Sequence, residues 1–230
     1  YNKISVVELQ KNPLRDTIFG VITTVIMLGI LSIFAVIFVI PFVQEWPYQV
    51  SFSLEHVKSV ISDPDLLGVY TNSLFVAVMT AIIGVLISYG AALVTARSTL
   101  NAKLKSVVEA IALVINTIPG MVLGIAFMLT FTGTNLQSTF IILIICDVVH
   151  YFSTPYLMVK NSLSKMNASW ETTAMLMGDS WIKTIIRVVT PNAMSTILEV
   201  FSYYFVNAMV TISAIIFLAG AHTMVITTKI

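Results

Sequence analysis

Long apolar stretches dominate this sequence and restrict the folds that are open to it. Five of them are long enough to cross a bilayer, roughly Thr17 to Val43, Val69 to Ala96, Ser106 to Phe131, Leu136 to Val159 and Asn192 to Leu218. About 20 apolar residues suffice for one crossing, and a helix satisfies its own backbone groups inside hydrocarbon. The sequence therefore predicts an all-α integral membrane protein whose main partner is the lipid bilayer.

Composition agrees with this class and excludes several others. The chain is 57% hydrophobic and 10% charged, whereas ordinary soluble domains carry about 25% charged residues. Its net charge of +1 gives no basic excess, so nucleic acid is not expected as a partner. The single cysteine, Cys146, excludes an intrachain disulfide and a thiolate metal cluster.

The distribution of lysine and arginine predicts the orientation of the spans. These residues accumulate in short cytoplasmic loops. With a cytoplasmic N-terminus, all but Lys58 and Lys229 of the 12 basic residues face inward. The inward set is Lys3, Lys11, Arg15, Arg97, Lys103, Lys105, Lys160, Lys165, Lys183 and Arg187. We therefore expect a cytoplasmic segment at 1–16, a transmembrane domain at 17–218 and an extracytoplasmic tail at 219–230.

The longest inward loop, 160–190, has its own pattern. It predicts two short helices, around Ala168 to Met177 and Trp181 to Val189, separated by Gly178-Asp179-Ser180. Glycine permits the turn, and aspartate or serine can cap the next helix. Pro191 suits the first turn of the last span. Such a helix pair is either a docking surface or a solvated connector. Outside, Ser53 precedes an apolar periodicity that predicts a short surface helix.

The loop resembles the cytoplasmic signature of the permeases of binding-protein-dependent ATP-binding-cassette importers. In "GDSWIKTIIRVVTP", Gly178 and Pro191 keep the spacing of that signature. The Glu-Ala-Ala element that precedes the glycine falls here on Thr172, Thr173 and Ala174, and Glu171 lies one residue early. Further segments, "INTIPGMVLGIAF" and "VTISAIIFLAG" among them, resemble the C-terminal halves of fused ferric-iron-type permeases over about 51–220.

The resemblance implies a type I (MetI-like) importer permease with about five spans visible and a last span missing after the tail. It implies a multi-pass protein of the bacterial inner membrane that moves substrate by alternating access. The implied partners are a cytoplasmic ATPase dimer, an extracytoplasmic substrate-binding protein and a second permease unit, either a separate subunit or the other half of the same chain.

No enzymatic activity is expected of this chain, because it has no G-x-x-x-x-G-K-[ST] phosphate loop. ATP and Mg²⁺ are expected on the partner ATPase, and no cofactor on the chain itself. By resemblance, ferric iron is the first candidate substrate, and 2-aminoethylphosphonate, polyamine and thiamine are alternatives. A secondary transporter or channel without an ATPase is the competing class. An intramembrane enzyme lacks support, because the sequence offers no G-x-S-x-G or H-E-x-x-H motif.

Two groups of residues are candidates for function. The ATPase-coupling group lies in or beside the loop and comprises Glu171, Thr172, Thr173, Ala174, Gly178, Asp179 and Pro191. The candidate translocation path comprises Asp147, His150, Pro119, Gly120, Asn207 and Ser213. No catalytic or metal site is predicted.

Within the path group, Asp147 and His150 share a helix face and are expected to pair. An ionisable group inside the bilayer faces a bundle interior, a wet cavity or a partner, so packing is the alternative role. Pro119 removes a backbone hydrogen bond and predicts a kink. Gly120 and Gly124 form a small face for close packing.

Overall fold

A computed structural model describes residues 12–211, 214–220 and 223–229 of the 230-residue chain, most of them helical. Its contacts divide it into two compact units, Tyr1–Leu67 and Gly68–Ile230. Within the first unit, Asn12 caps helix α1 (Pro13–Val39) by accepting a hydrogen bond from the Arg15 amide at 3.3 Å. Every described residue of α1 keeps solvent-accessible surface, so none of its side chains belongs to a core.

After α1, the first unit continues with a 3₁₀ turn, Ile40–Phe42, and an antiparallel hairpin of β1 (Val43–Glu45) and β2 (Gln49–Phe52). The sequence analysis did not predict this hairpin. It did predict the surface helix that follows, α2 (Glu55–Ser62), and the Ser53 hydroxyl accepts a hydrogen bond from the Glu55 amide at 3.1 Å. The predicted helix is confirmed, while its placement outside the membrane stays a prediction.

Ten helices follow the first unit's hairpin and α2 among the described residues. The first nine are α3 (Pro64–Arg97), which begins in the first unit, α4 (Ala102–Ile115), α5 (Gly120–Phe131), α6 (Phe140–His150), α7 (Ser153–Ser164), α8 (Ser169–Leu176), α9 (Trp181–Thr184), α10 (Thr190–Asn192) and α11 (Met194–Val210). A π-helical turn, Ile185–Val189, joins α9 to α10, and one helical turn more, α12 (Ile226–Lys229), ends the described chain.

Only α1 with its 3₁₀ turn and α3 are, as single described helices, long and apolar enough to cross a membrane. Three further spans arise when bent pairs are taken together: α4 with α5 at 107°, α6 with α7 at 54°, and 181–192 with α11 at 74°. The expectation of five spans therefore agrees with the fold. A continuous helix in the fourth span was wrong, whereas the third span was predicted to kink.

Proline explains the largest break. Helix α4 ends at Ile115 and is followed by its C-cap residue Asn116. Pro119, just before α5, has an extended backbone with ψ of 139°. Proline has no N–H to donate and disfavours helical geometry in the residue before it. The predicted kink at Pro119 is confirmed, although it is a complete break rather than a bend within one helix.

The fifth predicted span, to Leu218, is too long. Helix α11 ends at Val210, and Thr211 is extended with ψ of 126°. The Thr211 hydroxyl donates to the Asn207 carbonyl at 2.6 Å, and the Thr227 hydroxyl donates to the Thr211 carbonyl at 2.6 Å. Side-chain hydroxyls thus satisfy backbone groups that a continuing helix would have used.

A row of small residues along α3 builds the core of the second unit. It consists of Ala77, Ala81, Gly84, Ser88 and Ala92, all buried. A Cβ at Gly84 would come within 2.6 Å of the Tyr204 ring, and the Tyr204 hydroxyl hydrogen-bonds Ser88 at 2.8 Å. Close helix approach through small residues is typical of membrane bundles, where packing replaces the hydrophobic effect.

The predicted small face of α5 is confirmed at Gly124. A side chain at this position would collide with the backbone carbonyl of Ala214. Only glycine therefore lets α5 approach the segment that follows α11 so closely.

The second unit has two chemically different ends. At one, which we call the basic end, Lys105 donates to the Ser98 carbonyl at 2.6 Å and Lys160 pairs with Glu109 at 2.6 Å. Near the other end of α3, the Ser73 hydroxyl accepts from the Ile226 amide at 2.8 Å. Arg97 lies 24 positions after Ser73, which corresponds to a rise of about 36 Å along the helix, enough to separate the two ends by a bilayer core.

Candidate coupling surface and central cavity

The loop at the basic end forms the helix pair that its sequence predicts. Helix α8 ends in a turn at Gly178, whose φ is +81°. The Asp179 amide donates to the Ala174 carbonyl at 2.9 Å, and the Gly178 amide donates to the Met175 carbonyl at 3.0 Å. These two bonds are the Schellman arrangement, which needs a left-handed residue and favours glycine there. Ser180 then caps α9 by accepting from the Lys183 amide at 3.3 Å.

The tip of this helix pair is apolar and exposed. Met175, Leu176 and Met177 are 70%, 85% and 79% exposed. A row of exposed apolar residues rimmed by polar ones marks an interaction surface. We call 175–178 the coupling tip. The sequence analysis missed its three apolar members because it weighed small residues as the contacts.

The predicted coupling residues divide into exposed and half-buried positions. Thr172, Thr173, Gly178 and Pro191 are exposed, whereas Ala174 is half-buried. Asp179, also half-buried, forms an ion pair with Lys183 one turn later.

Glu171 has a different environment from the other coupling residues. Its carboxylate accepts two hydrogen bonds from Arg97, one from Nε and one from Nη2, both 2.6 Å. The side chains of Arg97 and Glu171 are only 4% and 15% exposed. The two residues are 74 positions apart in the chain, so no local sequence signal could have found the pair.

A cavity of about 140 Å³ lies where two spans are broken. Its lining comprises Ile115, Asn116, Ile118, His150, Tyr151, Ser153, Thr154 and Tyr203. Asn116 belongs to the break between α4 and α5, and Tyr151 to the break between α6 and α7. Non-helical backbone at membrane depth is tolerated where it lines a cavity, and transporters place substrate sites at such discontinuities.

Of the predicted path residues that the structure describes, only His150 lines this cavity. Pro119 and Gly120 lie at the neighbouring break, at the start of α5. Asn207 donates its amide to the Tyr203 carbonyl within α11 at 2.7 Å, and Ser213 lies outside the described residues. Sequence reasoning missed four lining residues, because they come together only where the spans break. They are Asn116, Tyr151, Thr154 and Tyr203.

The expected pairing of Asp147 with His150 is wrong. Asp147 is fully buried, and within the described chain neither of its carboxylate oxygens has a hydrogen-bond partner; the same holds for Nδ1 of His150. Helical spacing places both residues on one face, but His150 turns its ring to Tyr151, with ring centroids 4.6 Å apart. Among the described residues, no group of three or more His, Cys, Asp or Glu side chains could hold a metal ion.

Comparison with known proteins identifies membrane components of transport systems as relatives of this chain. Residues 84–230 match the profile of a family described as "Binding-protein-dependent transport system inner membrane component". FbpB 1 of Haemophilus influenzae, described provisionally as a ferric transport system permease protein, is 29% identical over 224 residues, which cover 93% of this chain and 34% of the relative. The ferric transport system permease protein FbpB of Actinobacillus pleuropneumoniae is 27% identical, with coverage of 90% and 31%.

A third relative has a different cargo. The molybdate/tungstate transport system permease protein WtpB of Pyrococcus furiosus is 26% identical over 171 residues, 74% of this chain and 67% of the relative. A crystal structure of a bacterial ABC transporter that imports the acidic polysaccharide alginate superposes with a TM-score of 0.73 at 16% identity, covering 96% of this chain and 81% of that one. The chain thus spans about a third of the length of the two ferric relatives.

Proposed function

Because the chain belongs to the family of binding-protein-dependent transport system inner membrane components, we propose that it is the permease of an ATP-driven importer. In this role it passes substrate from an external binding protein to the cytoplasm by alternating access and performs no chemistry itself. ATP and Mg²⁺ are held by a partner ATPase dimer. A second permease unit, from another subunit or the rest of the same chain, completes the path.

The coupling tip is the observation that carries this proposal. The Schellman turn at Gly178 fixes three exposed apolar side chains on a short helix pair beside the basic end. A cleft in a cytoplasmic ATPase would cover this apolar surface. The proposal places the basic end and the N-terminus in the cytoplasm, with 17–218 as the permease domain and 219–230 outside, because basic residues accumulate inside.

The cavity supports a path for a small polar cargo. It opens where α4 and α6 end, and its polar lining groups include an imidazole, an amide and several hydroxyls. Groups of this kind can replace part of a hydration shell without binding so tightly that release is slow. We propose ferric iron as the cargo, because the two ferric relatives match 93% and 90% of the chain.

An oxyanion is the second candidate cargo. Helix α7 begins at the cavity with Ser153 and Thr154 as its first residues, and a helix N-terminus favours negative charge. The Pyrococcus furiosus relative is described as a molybdate/tungstate transport permease, and molybdate and tungstate are oxyanions. 2-Aminoethylphosphonate, polyamine and thiamine remain less supported alternatives.

The test of transport compares Gly178→Trp with Lys165→Ala, an exposed residue of the same loop. Tryptophan cannot adopt the φ of +81° without strain, and it also alters the apolar tip. We expect Gly178→Trp to reach the membrane, to lose ATPase co-purification or binding-protein-stimulated hydrolysis, and to lose uptake, whereas Lys165→Ala retains all three. Normal binding-protein-stimulated ATP hydrolysis in Gly178→Trp would mean that the loop is only a connector and not a docking surface for the ATPase.

The cargo is tested separately, with radioactive ferric iron and molybdate supplied to membrane vesicles that contain the full transporter and its binding protein. Uptake of iron that excess molybdate does not inhibit supports ferric transport. The reverse pattern would assign the oxyanion.

A further inference from the structure

Arg97, the last residue of α3, uses all of its hydrogen-bond donors. Nε and Nη2 donate to the two oxygens of Glu171. Nη1 donates to the carbonyls of Leu163 at 3.5 Å and Met166 at 3.0 Å, and Nη2 also donates to the carbonyl of Asn167 at 3.1 Å. A guanidinium carries five N–H groups, and each has an acceptor here.

These acceptors belong to different parts of the second unit. The three carbonyls lie at or just after the C-terminal end of α7, where the helix dipole is negative. Glu171 belongs to α8, the helix that carries the coupling tip. One side chain therefore connects a complete span, the end of a broken span and the coupling loop.

A second bond returns from the other helix of the loop. The Trp181 indole N–H, in α9, donates to the Arg97 backbone carbonyl at 3.4 Å. Both helices of the loop are thus attached to the same residue of α3, one through the Arg97 side chain and one through its backbone.

Burial distinguishes this ion pair from the others at the basic end. Arg97 and Glu171 are 4% and 15% exposed, whereas Lys160 and Glu109 are 27% and 39% exposed. Both Glu171 oxygens already accept from Arg97. Glu171 therefore has little surface to offer a separate subunit, although its position in the sequence signature suggested an ATPase contact.

We propose that Arg97 is a positioning residue that fixes the coupling loop to α3, and that Glu171 serves this intrachain joint instead of contacting the ATPase. The inference rests on the proposed function. Motion of the ATPase reaches the loop through the coupling tip, and the Arg97–Glu171 joint passes it to α3, whose small-residue row packs on Tyr204 of α11.

Lysine cannot replace Arg97 in this joint. Its ammonium has three donors that radiate from one nitrogen, whereas the planar guanidinium reaches a carboxylate with two parallel bonds and still has N–H groups for carbonyls. Arg97→Lys keeps the positive charge but can donate to only some of the five acceptors that Arg97 reaches. It is therefore the mild variant if Arg97→Gln does not fold.

The experiment uses the whole transporter in lipid nanodiscs and liposomes. Arg97→Gln, Arg97→Lys, Glu171→Gln and the double glutamine variant are compared with Lys160→Gln, a matched control in α7 that breaks the Lys160–Glu109 pair and leaves α8 and α9 untouched. Three quantities are measured: ATPase co-purification, substrate transported per ATP hydrolysed, and hydrogen exchange of the α8 amides.

We expect each Arg97 and Glu171 variant to keep the ATPase but to lose about tenfold in substrate transported per ATP, a typical coupling effect. The double variant should lose no more than either single one, because both remove the same joint. Exchange of the α8 amides should rise in all of them. Lys160→Gln should match the parent protein.

Two results would overturn the inference. If Glu171→Gln loses the ATPase while Arg97→Gln retains it, Glu171 contacts the partner directly. If hydrogen exchange of the α8 amides and the substrate transported per ATP are both unchanged in Arg97→Gln, the Arg97–Glu171 joint does not couple the loop to α3. A parent protein that retains no ATPase would contradict the proposed function, and α8 exchange would still decide whether Arg97 fixes the loop.

Discussion

The Arg97 joint and the Asp147 region both bury acidic or basic side chains, and they are opposite in their hydrogen bonding. Around Arg97, five donors meet five acceptors. Around Asp147, two carboxylate oxygens and Nδ1 of His150 find no partner within the described residues. A saturated polar cluster specifies one geometry, whereas an unsatisfied one costs free energy in that geometry.

The difference fits the joint proposed at Arg97 and the path role that the sequence analysis considered for Asp147. A coupling joint must be rigid if motion is to pass through it. A group beside a transport path gains from polar partners that are present only in another conformation or with cargo. Unsatisfied buried groups in native proteins require such an explanation. Stability measurements can therefore separate the two sites even before transport is assayed.

The largest effect is expected at the saturated site. Glu171→Leu leaves the buried guanidinium without its carboxylate, and breaking a buried pair in this way costs about 3–5 kcal/mol. Thermal unfolding in detergent should show a lowered midpoint. The double variant Arg97→Met/Glu171→Leu should recover much of the loss, because no buried charge is left unpaired. A single variant as stable as the parent would mean that the joint contributes nothing to the fold.

An opposite and smaller effect is expected at Asp147. Asp147→Leu removes two unsatisfied buried oxygens and keeps a similar shape, so the folded chain should gain about 1–3 kcal/mol. Uptake should fall nonetheless if the carboxyl serves the path. The same thermal unfolding assay and vesicle uptake are the measurements. A destabilised Asp147→Leu would show that the carboxyl has a packing role and would remove the contrast between the two sites.

The smallest effect is expected at the partly exposed pair of Lys160 and Glu109, which are 27% and 39% exposed. Lys160→Gln should change stability by no more than about 1 kcal/mol, because solvent screens such pairs and mobile side chains lose entropy in them. Added salt should weaken the pair further. A loss as large as that of Glu171→Leu would show that burial is not what distinguishes the Arg97 joint.

Local patterns predicted the local structure of this protein well. Gly178 and Ser180 marked the end of one loop helix and the start of the next, and both have the expected roles because caps depend on residues within one turn. Pro119 marked the helix break for the same reason. The hairpin at Val43–Phe52 was missed because its strands have only three and four residues, too few for a clear periodicity signal.

By itself, the sequence determined that the chain is a helical membrane protein with a loop of importer-permease type. Span length, apolar composition and cap residues are properties of neighbouring residues, and hydrocarbon admits few alternatives. Only the tertiary structure decided that Arg97 meets Glu171, that two broken spans enclose one cavity, and that Asp147 lacks the partner its helix face suggested. The physical reason is that these contacts depend on how helices bend and pack. The bend angle between two helices, the rotation of a side chain and a contact between residues 74 positions apart cannot be predicted from local periodicity.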